Sequence, residues 1–240
     1  FKRARSACNP AEALGSGPFL NRSAMKLANL DAIAELLPGG ARPLLRFADL
    51  CGGPGGFSEY LLRRRRQFGL PAQGWGISLR ENSIEPRPSY NDSAITSGGN
   101  ADGPFVEMRI DFGPRGTGDL TDEVNMCGFV SNVLASTGGV GLDLVVADGG
   151  FGAARDARDQ EQLLSPLVHS EALTALLLLA EGGSFVCKLF EVWTETMACL
   201  VYLLHRKFRR ISILKPITRQ AAGRARTGGG GVTYVSRATV

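Results

Sequence analysis

Histidine is scarce in this sequence, with two in 240 residues, and none of the five cysteines (Cys8, Cys51, Cys127, Cys187, Cys199) forms a C-x-x-C pair. Scattered, odd-numbered cysteines with so few histidines argue against both a zinc site and a disulfide framework. They suit a reducing compartment, nucleus or cytoplasm. Long apolar runs are missing too. The longest, Ala172–Ala180, is interrupted by Thr174 and is too short to cross a bilayer, so no membrane partner is expected. No secretory signal is visible, yet the chain opens on Phe1 rather than Met, which suggests a fragment of a longer protein. Neither a G-x-G-x-x-G fingerprint nor a Walker lysine follows the glycine-rich stretch at 52–56, which lowers nicotinamide and ATP chemistry.

What is present is a chain of single-domain size with an ordinary hydrophobic fraction of 44%. The net charge of +4 is modest, but basic residues cluster at Lys2–Arg5, Arg63–Arg66, Lys207–Arg210 and Lys215–Arg226. Such clusters fit an acidic partner such as nucleic acid, and fit solvated helix ends equally well. Helical periodicity runs from Asn21 to Leu37, placing Leu27, Leu30, Ala34 and Leu37 on one face and Arg22, Lys26 and Asn29 on a neighbouring one. Strands are then expected at Leu44–Leu50, Gly74–Leu79, Val106–Ile110, Leu142–Asp148, Ser184–Phe190, Ile211–Lys215 and Val232–Arg237. Helices are expected at Phe57–Arg66, Thr121–Ala135, Gln160–Ala180 (stopped by Gly182-Gly183) and Glu195–Arg206, with a long surface loop over 80–104. This alternation predicts an α/β fold: a mostly parallel, doubly wound, seven-stranded sheet with helices on both faces. Ligands of such sheets bind outside the carboxyl ends of the strands.

At the first of those ends, a buried strand runs into Gly52, Gly53, Gly55 and Gly56 and then a helix. Glycines admit a ligand close to the backbone, and the helix start offers free N–H groups. Such turns also serve packing, so glycine alone leaves both uses open. Asp148 ends the clearest strand, LDLVVAD, and Lys188 interrupts the otherwise apolar SFVCKLF. The forty residues between them suffice for one helix and a return to a neighbouring parallel strand. A lysine in a core strand needs a partner, so a buried Lys–Asp ion pair or a snorkelling lysine are the structural alternatives to a catalytic one.

DLCGGPGGFSEYL (Asp49–Leu61) resembles the S-adenosylmethionine loop of the FtsJ-like RNA ribose methyltransferases, and within them the eukaryotic mRNA cap 2′-O-methyltransferases. FLNRSAMKLAN (Phe19–Asn29), VVADGGF (Val145–Phe151), FVCKLF (Phe185–Phe190) and LVYLLHRKFRRISILKPITR (Leu200–Arg219) match in order, from about residue 1 to 237 with 80–104 poorly matched. The resemblance implies one Rossmann-like methyltransferase domain over 1–240: an N-terminal extension and helix carrying Lys26 in 1–40, and a core in 41–240. It implies S-adenosyl-L-methionine as cofactor, S-adenosyl-L-homocysteine as product, and no metal. It implies catalytic Lys26, Asp148 and Lys188; Lys188 is assigned as general base with Lys26 polarising the 2′-oxygen, though the sequence does not fix which lysine of the coupled group takes the proton. Two close, partly desolvated lysines lower each other's proton affinity, while Asp148 opposes part of that shift.

By the same resemblance Asp49, Cys51, Gly52, Gly53, Pro54, Gly55, Gly56, Phe57, Asp119 and Asp148 surround the cofactor. Asp119 is equally suited to a surface turn or helix cap. Arg22, Lys215 and Arg219 are candidate RNA contacts, phosphates being the natural target. The partner is then RNA, 5′-capped mRNA above all, in a nuclear setting with flanking domains or capping and transcription machinery. Phe1, Phe19 and Phe151 are candidates for stacking on a cap guanine, though phenylalanines more often fill cores. The family's last strand carries a glutamate two residues before a tyrosine; here Tyr234 is kept and Val232 stands at the glutamate position. That departure keeps an RNA-binding pseudoenzyme open as an alternative, beside an rRNA or tRNA ribose methyltransferase.

Overall fold

The computed structural model describes residues 17–37, 43–80, 105–150, 159–190, 192–214 and 216, and the backbone of 232–237. In chain order the elements are α1 (Arg22–Ala34), β1 (Leu45–Leu50), α2 (Gly56–Gln67), β2 (Ala72–Ile77), β3 (Val106–Asp111), α3 (Glu123–Ser136), β4 (Leu142–Ala147), α4 (Gln160–Leu178), β5 (Leu179–Leu189), α5 (Glu195–Lys207), β6 (Arg210–Leu214) and β7 (Val232–Arg237). The loop expected over 80–104 lies outside the described residues apart from Arg80.

The strand order is β3-β2-β1-β4-β5-β7-β6. β3, β2, β1, β4 and β5 run parallel, and β7 lies antiparallel to both β5 and β6. The order reverses direction between β1 and β4, the crevice where open parallel sheets take their ligands.

Period-two alternation sorts the core into two layers. Leu45 and Phe47 of β1, Leu144 and Val146 of β4 and Val186 of β5 face α1 and α2. Ala48 and Leu50, Val145 and Ala147, and Phe185, Cys187 and Leu189 face α3, α4 and α5. Helix starts follow from side-chain caps: Asn21 accepts from Ser23 N–H, Asp122 from Val124 N–H, and Thr194 from Met197 N–H.

Two boundaries differ from the sequence expectation, for local reasons. Helix α1 stops at Ala34, not Leu37, because Glu35 turns left-handed (φ 49°). Asp31 Oδ1 then accepts from Leu37 N–H and Asp31 Oδ2 from the Tyr60 hydroxyl, so Leu37 is buried by a side-chain-held turn rather than by a helix face. Helix α4 stops at Leu178, and Gly182-Gly183 belong to β5 instead of ending the helix. The β4–β5 register shifts between Leu142 and Leu144, and a Cβ on Gly183 would press on the carbonyls of Ala180 and Leu142. The glycine pair therefore forms a bulge where two backbones meet.

Phe47 is fully buried and its ring lies across Gly74 of the neighbouring strand, where a Cβ would collide with it. Phe47→Ala should lower unfolding free energy by about 3–5 kcal/mol, read from urea denaturation.

Candidate active site

The glycine turn is built from beneath. Cys51 leaves β1 with φ 56°, a left-handed residue that is not glycine. Asp49 is 1% exposed; its Oδ2 accepts from both Ser58 N–H (3.1 Å) and the Ser58 hydroxyl (2.6 Å). A Cβ on Gly52 would lie within 3 Å of that carboxylate, so the bare backbone is what allows the turn to fold over it. Burial pushes the Asp49 carboxyl up to about 7, against the two Ser58 hydrogen bonds. The Gly53-Pro54 peptide is cis, and both residues are exposed. Gly55 caps α2 at φ 112°. Phe57 is 4% exposed and packs in the layer under α1 and α2, so this expected cofactor residue offers only its backbone to a ligand.

Neighbouring loops close on this turn. Gly53 N–H donates to Ser78 Oγ at the end of β2 (3.1 Å), and Gly118 sits so tightly on the Ser78 carbonyl that a Cβ there has no room. Asp119 therefore stands at the same sheet edge. Its Oδ1 accepts from Thr121 N–H (2.9 Å) and the Thr121 hydroxyl (2.7 Å), the turn-cap arrangement weighed from sequence.

The three charged residues meet. Lys26 Nζ donates to Asp148 Oδ2 at 2.8 Å, and Lys188 Nζ stands 2.9 Å from Oδ1. Lys188 also donates to the Asp148 carbonyl (2.8 Å), and its ammonium lies 4.8 Å from the Phe190 ring centre. Side-chain exposures of 24%, 13% and 15% for Lys26, Asp148 and Lys188 make this a largely desolvated cluster that still opens to the edge. Burial would raise the Asp148 carboxyl, but Lys188 and Lys26 outweigh it and hold it at about 2. Lys26 reaches the site because α1 seats against the turn: a Cβ on Gly56 would run into Asn21 and the Ala24 backbone. Arg22 lies one helical turn before Lys26.

Ser23 was not anticipated. Its hydroxyl donates to Asp148 Oδ2 at 2.7 Å, and its position three residues before Lys26 on one helix face was the available signal. Glu171 was also missed; it is a carboxylate within a buried helix face, whose Oε1 accepts from Gly149 N–H at 3.1 Å. Lys215, Arg219, Phe1 and Phe151 lie outside the described residues. Phe19 packs edge-on to Tyr60 at 6.0 Å between ring centres, a core-side role. Strand β7 sets Val232 opposite Leu189 and Thr233 opposite Lys188.

The sequence profile described as FtsJ-like methyltransferase matches residues 19–226. The chain belongs to the FtsJ-like methyltransferase family. This FtsJ-like chain is 36% identical over 94% of its length to a Danio rerio protein named cap-specific mRNA (nucleoside-2'-O-)-methyltransferase 1, and 35% identical over 94% to the Homo sapiens protein of that name. It spans 28% and 27% of those relatives' lengths. Among solved structures, a Plasmodium falciparum protein described as a ribosomal RNA methyltransferase matches 91% of this chain and 97% of its own, with a TM-score of 0.58 at 14% identity. At that identity the likeness speaks for the Rossmann-like methyltransferase fold alone.

The Asp49 and Asp148 carboxyls have opposite pH signatures. Asp49, raised from 3.8 to about 7, favours the fold below pH 4 and loses that contribution as pH rises through 7. Asp148, lowered from 3.8 to about 2, favours the fold above pH 4 and loses its contribution as pH falls toward 2. Between pH 5 and 8 the thermal midpoint of Asp49→Asn should fall less than that of the parent, by roughly several degrees, read by calorimetry at both pH values.

Proposed function

We propose that this chain moves a methyl group from S-adenosyl-L-methionine to a ribose 2′-hydroxyl of RNA, at a cap-proximal nucleotide of mRNA. The observation that carries this reading is one carboxylate holding two ammonium groups at 2.8 and 2.9 Å beside an open glycine turn. Family membership and the relatives' printed activity support the choice of reaction and of capped mRNA.

The turn fits the cofactor. Gly53 and Pro54 are exposed, the backbone over Asp49 has no room for a Cβ at Gly52, and Asp49 Oδ1 is a buried acceptor without a hydrogen-bond partner. Asp49, the Cys51–Phe57 backbone, Asp119 and Asp148 would hold S-adenosyl-L-methionine, which supplies a methyl group already activated on a sulfonium. Lys26 holds the 2′-oxygen in line and stabilises the charge that grows on it. Lys188 Nζ takes the hydroxyl proton, and Asp148 keeps both nitrogens in place. Arg22, Lys215 and Arg219 contact RNA phosphates, which position the strand without reading its sequence.

The same reading takes residues 1–240 as one methyltransferase domain, with α1 as its N-terminal addition and a seven-stranded sheet completed by β7. Because the chain covers little more than a quarter of its relatives, flanking domains and capping or transcription partners belong to this proposal, as does a nuclear location. Val232 at the family's glutamate position supports a second reading, an RNA-binding protein with impaired catalysis.

Labelled methyl transfer separates these. Parent protein should label capped RNA, and Lys188→Ala and Lys26→Ala should each lose about 10²–10⁴-fold in kcat with S-adenosylhomocysteine binding kept. Equal rates on capped and decapped RNA would remove the cap assignment. Parent activity no higher than Lys188→Ala would leave the pseudoenzyme. The rate should also climb from pH 6 to 9, since one nitrogen of the cluster must be free of its proton before it can accept another.

A further inference from the structure

Glu171 lies on α4, under the catalytic edge, and is 1% exposed. Nothing in the reaction above uses it, yet a buried carboxylate is costly unless something holds it. Its Oε1 accepts from Gly149 N–H at 3.1 Å, and its Oε2 accepts from the Cys187 thiol at 3.6 Å. The Gly149 N–H belongs to the peptide unit whose carbonyl is that of Asp148, and that carbonyl accepts from Lys188 Nζ at 2.8 Å. One peptide group is thus clamped between a carboxylate at its N–H end and an ammonium at its C=O end. Its dipole is aligned with both charges, and hydrogen bonds in such a chain strengthen one another. A Cβ on Gly149 would strike the Glu171 carboxylate, so the contact itself demands glycine.

We propose that Glu171 is a positioning residue for methyl transfer, acting through the Asp148–Gly149 peptide to fix Lys188 and to set the strength of its hydrogen bond to the Asp148 carbonyl. This rests on the function proposed above.

The surroundings make Glu171 responsive. It faces Lys188 and Cys187 of β5, Cys51 after β1 and Asp148 after β4, with Asp49 next to Cys51. Burial pushes the Glu171 carboxyl up to about 7, opposed by Lys188, the Gly149 N–H and the Cys187 thiol. When ionised it makes the Asp148 carbonyl a stronger acceptor for the Lys188 ammonium. When neutral it releases that hold.

Glu171→Gln keeps an acceptor for Gly149 N–H and removes the charge. The alkaline-rising limb of kcat should move toward acid by roughly one pH unit, with KM for S-adenosylmethionine within about twofold of the parent. Glu171→Ala, lacking the acceptor as well, should lose about tenfold in kcat. A Glu171→Gln profile that overlays the parent while only thermal stability changes would overturn the proposal. Lysine ¹³Cε NMR, with Lys188 assigned by Lys188→Arg, reads the same coupling without turnover. In the parent the Lys188 resonance should carry an inflection near pH 7 that Glu171→Gln removes; a flat parent response, or an inflection that survives in Glu171→Gln, also overturns the proposal. If the resonance inflects but no variant or parent transfers methyl, the function is wrong and the Glu171–Lys188 coupling stands.

Discussion

A carboxylate shared by two ammonium groups at the edge of the sheet is the interaction on which the rest of this structure depends. Asp148 is almost out of water, and desolvation on its own would favour its neutral form. Lys26 and Lys188 reverse that balance, and a hydroxyl from Ser23 and the strand geometry of β4 complete the fit. The cluster draws on three parts of the chain: α1 for Lys26 and Ser23, the end of β4 for Asp148 and the end of β5 for Lys188. Three elements therefore have to be placed to within a hydrogen-bond length before any one charge is tolerated. The sheet supplies two of the placements through parallel pairing, with Ala147 opposite Cys187 one residue before each functional side chain. The third comes from α1, seated on α2 through Gly56 and through the Asp31–Tyr60 bond.

Two further acids lie under the same edge. Asp49 beneath the glycine turn and Glu171 beneath β4 and β5 are both raised toward neutrality by burial. They do separate things: Asp49 ties the turn to Ser58 and so to the start of α2, and Glu171 ties the end of β4 to α4. Between them they anchor the two loops from which the site is made, while the glycines leave space above.

Much of this was legible in the residues themselves. Buried strands at Leu45–Leu50 and Leu142–Ala147 announce themselves by mostly apolar residues between turn signals, and their carboxyl ends lead to Asp49 and Asp148. Lys188 stands out because an ammonium in a core strand must have a partner. Lys26 was a different matter: its helix is short and its polar face ordinary, and only the resemblance of the whole FLNRSAMKLAN stretch marked it. The misjudged boundaries share a cause. Asp31 holds the end of α1 by side-chain hydrogen bonds, and Gly182-Gly183 answer to the backbone of β4. Both are tertiary demands that no local period encodes. Phe57 was assigned to the ligand because it belongs to the motif, yet its ring serves the core. Ser23 and Glu171 escaped notice because the groups they hold, the Asp148 carboxylate and the Gly149 N–H, lie 125 and 22 positions away.

The docking of α1 on the outside of α2 has a consequence for how this fold divides its labour. The glycine turn is woven into the sheet, whereas one of the two cations arrives on a helix that forms no part of it. The glycine turn and the Lys26 cation are thereby lodged in separable pieces of chain, joined through an asparagine resting where a glycine has no side chain. Under the proposed reaction, loosening that seat would leave a protein that keeps its glycine turn while idling.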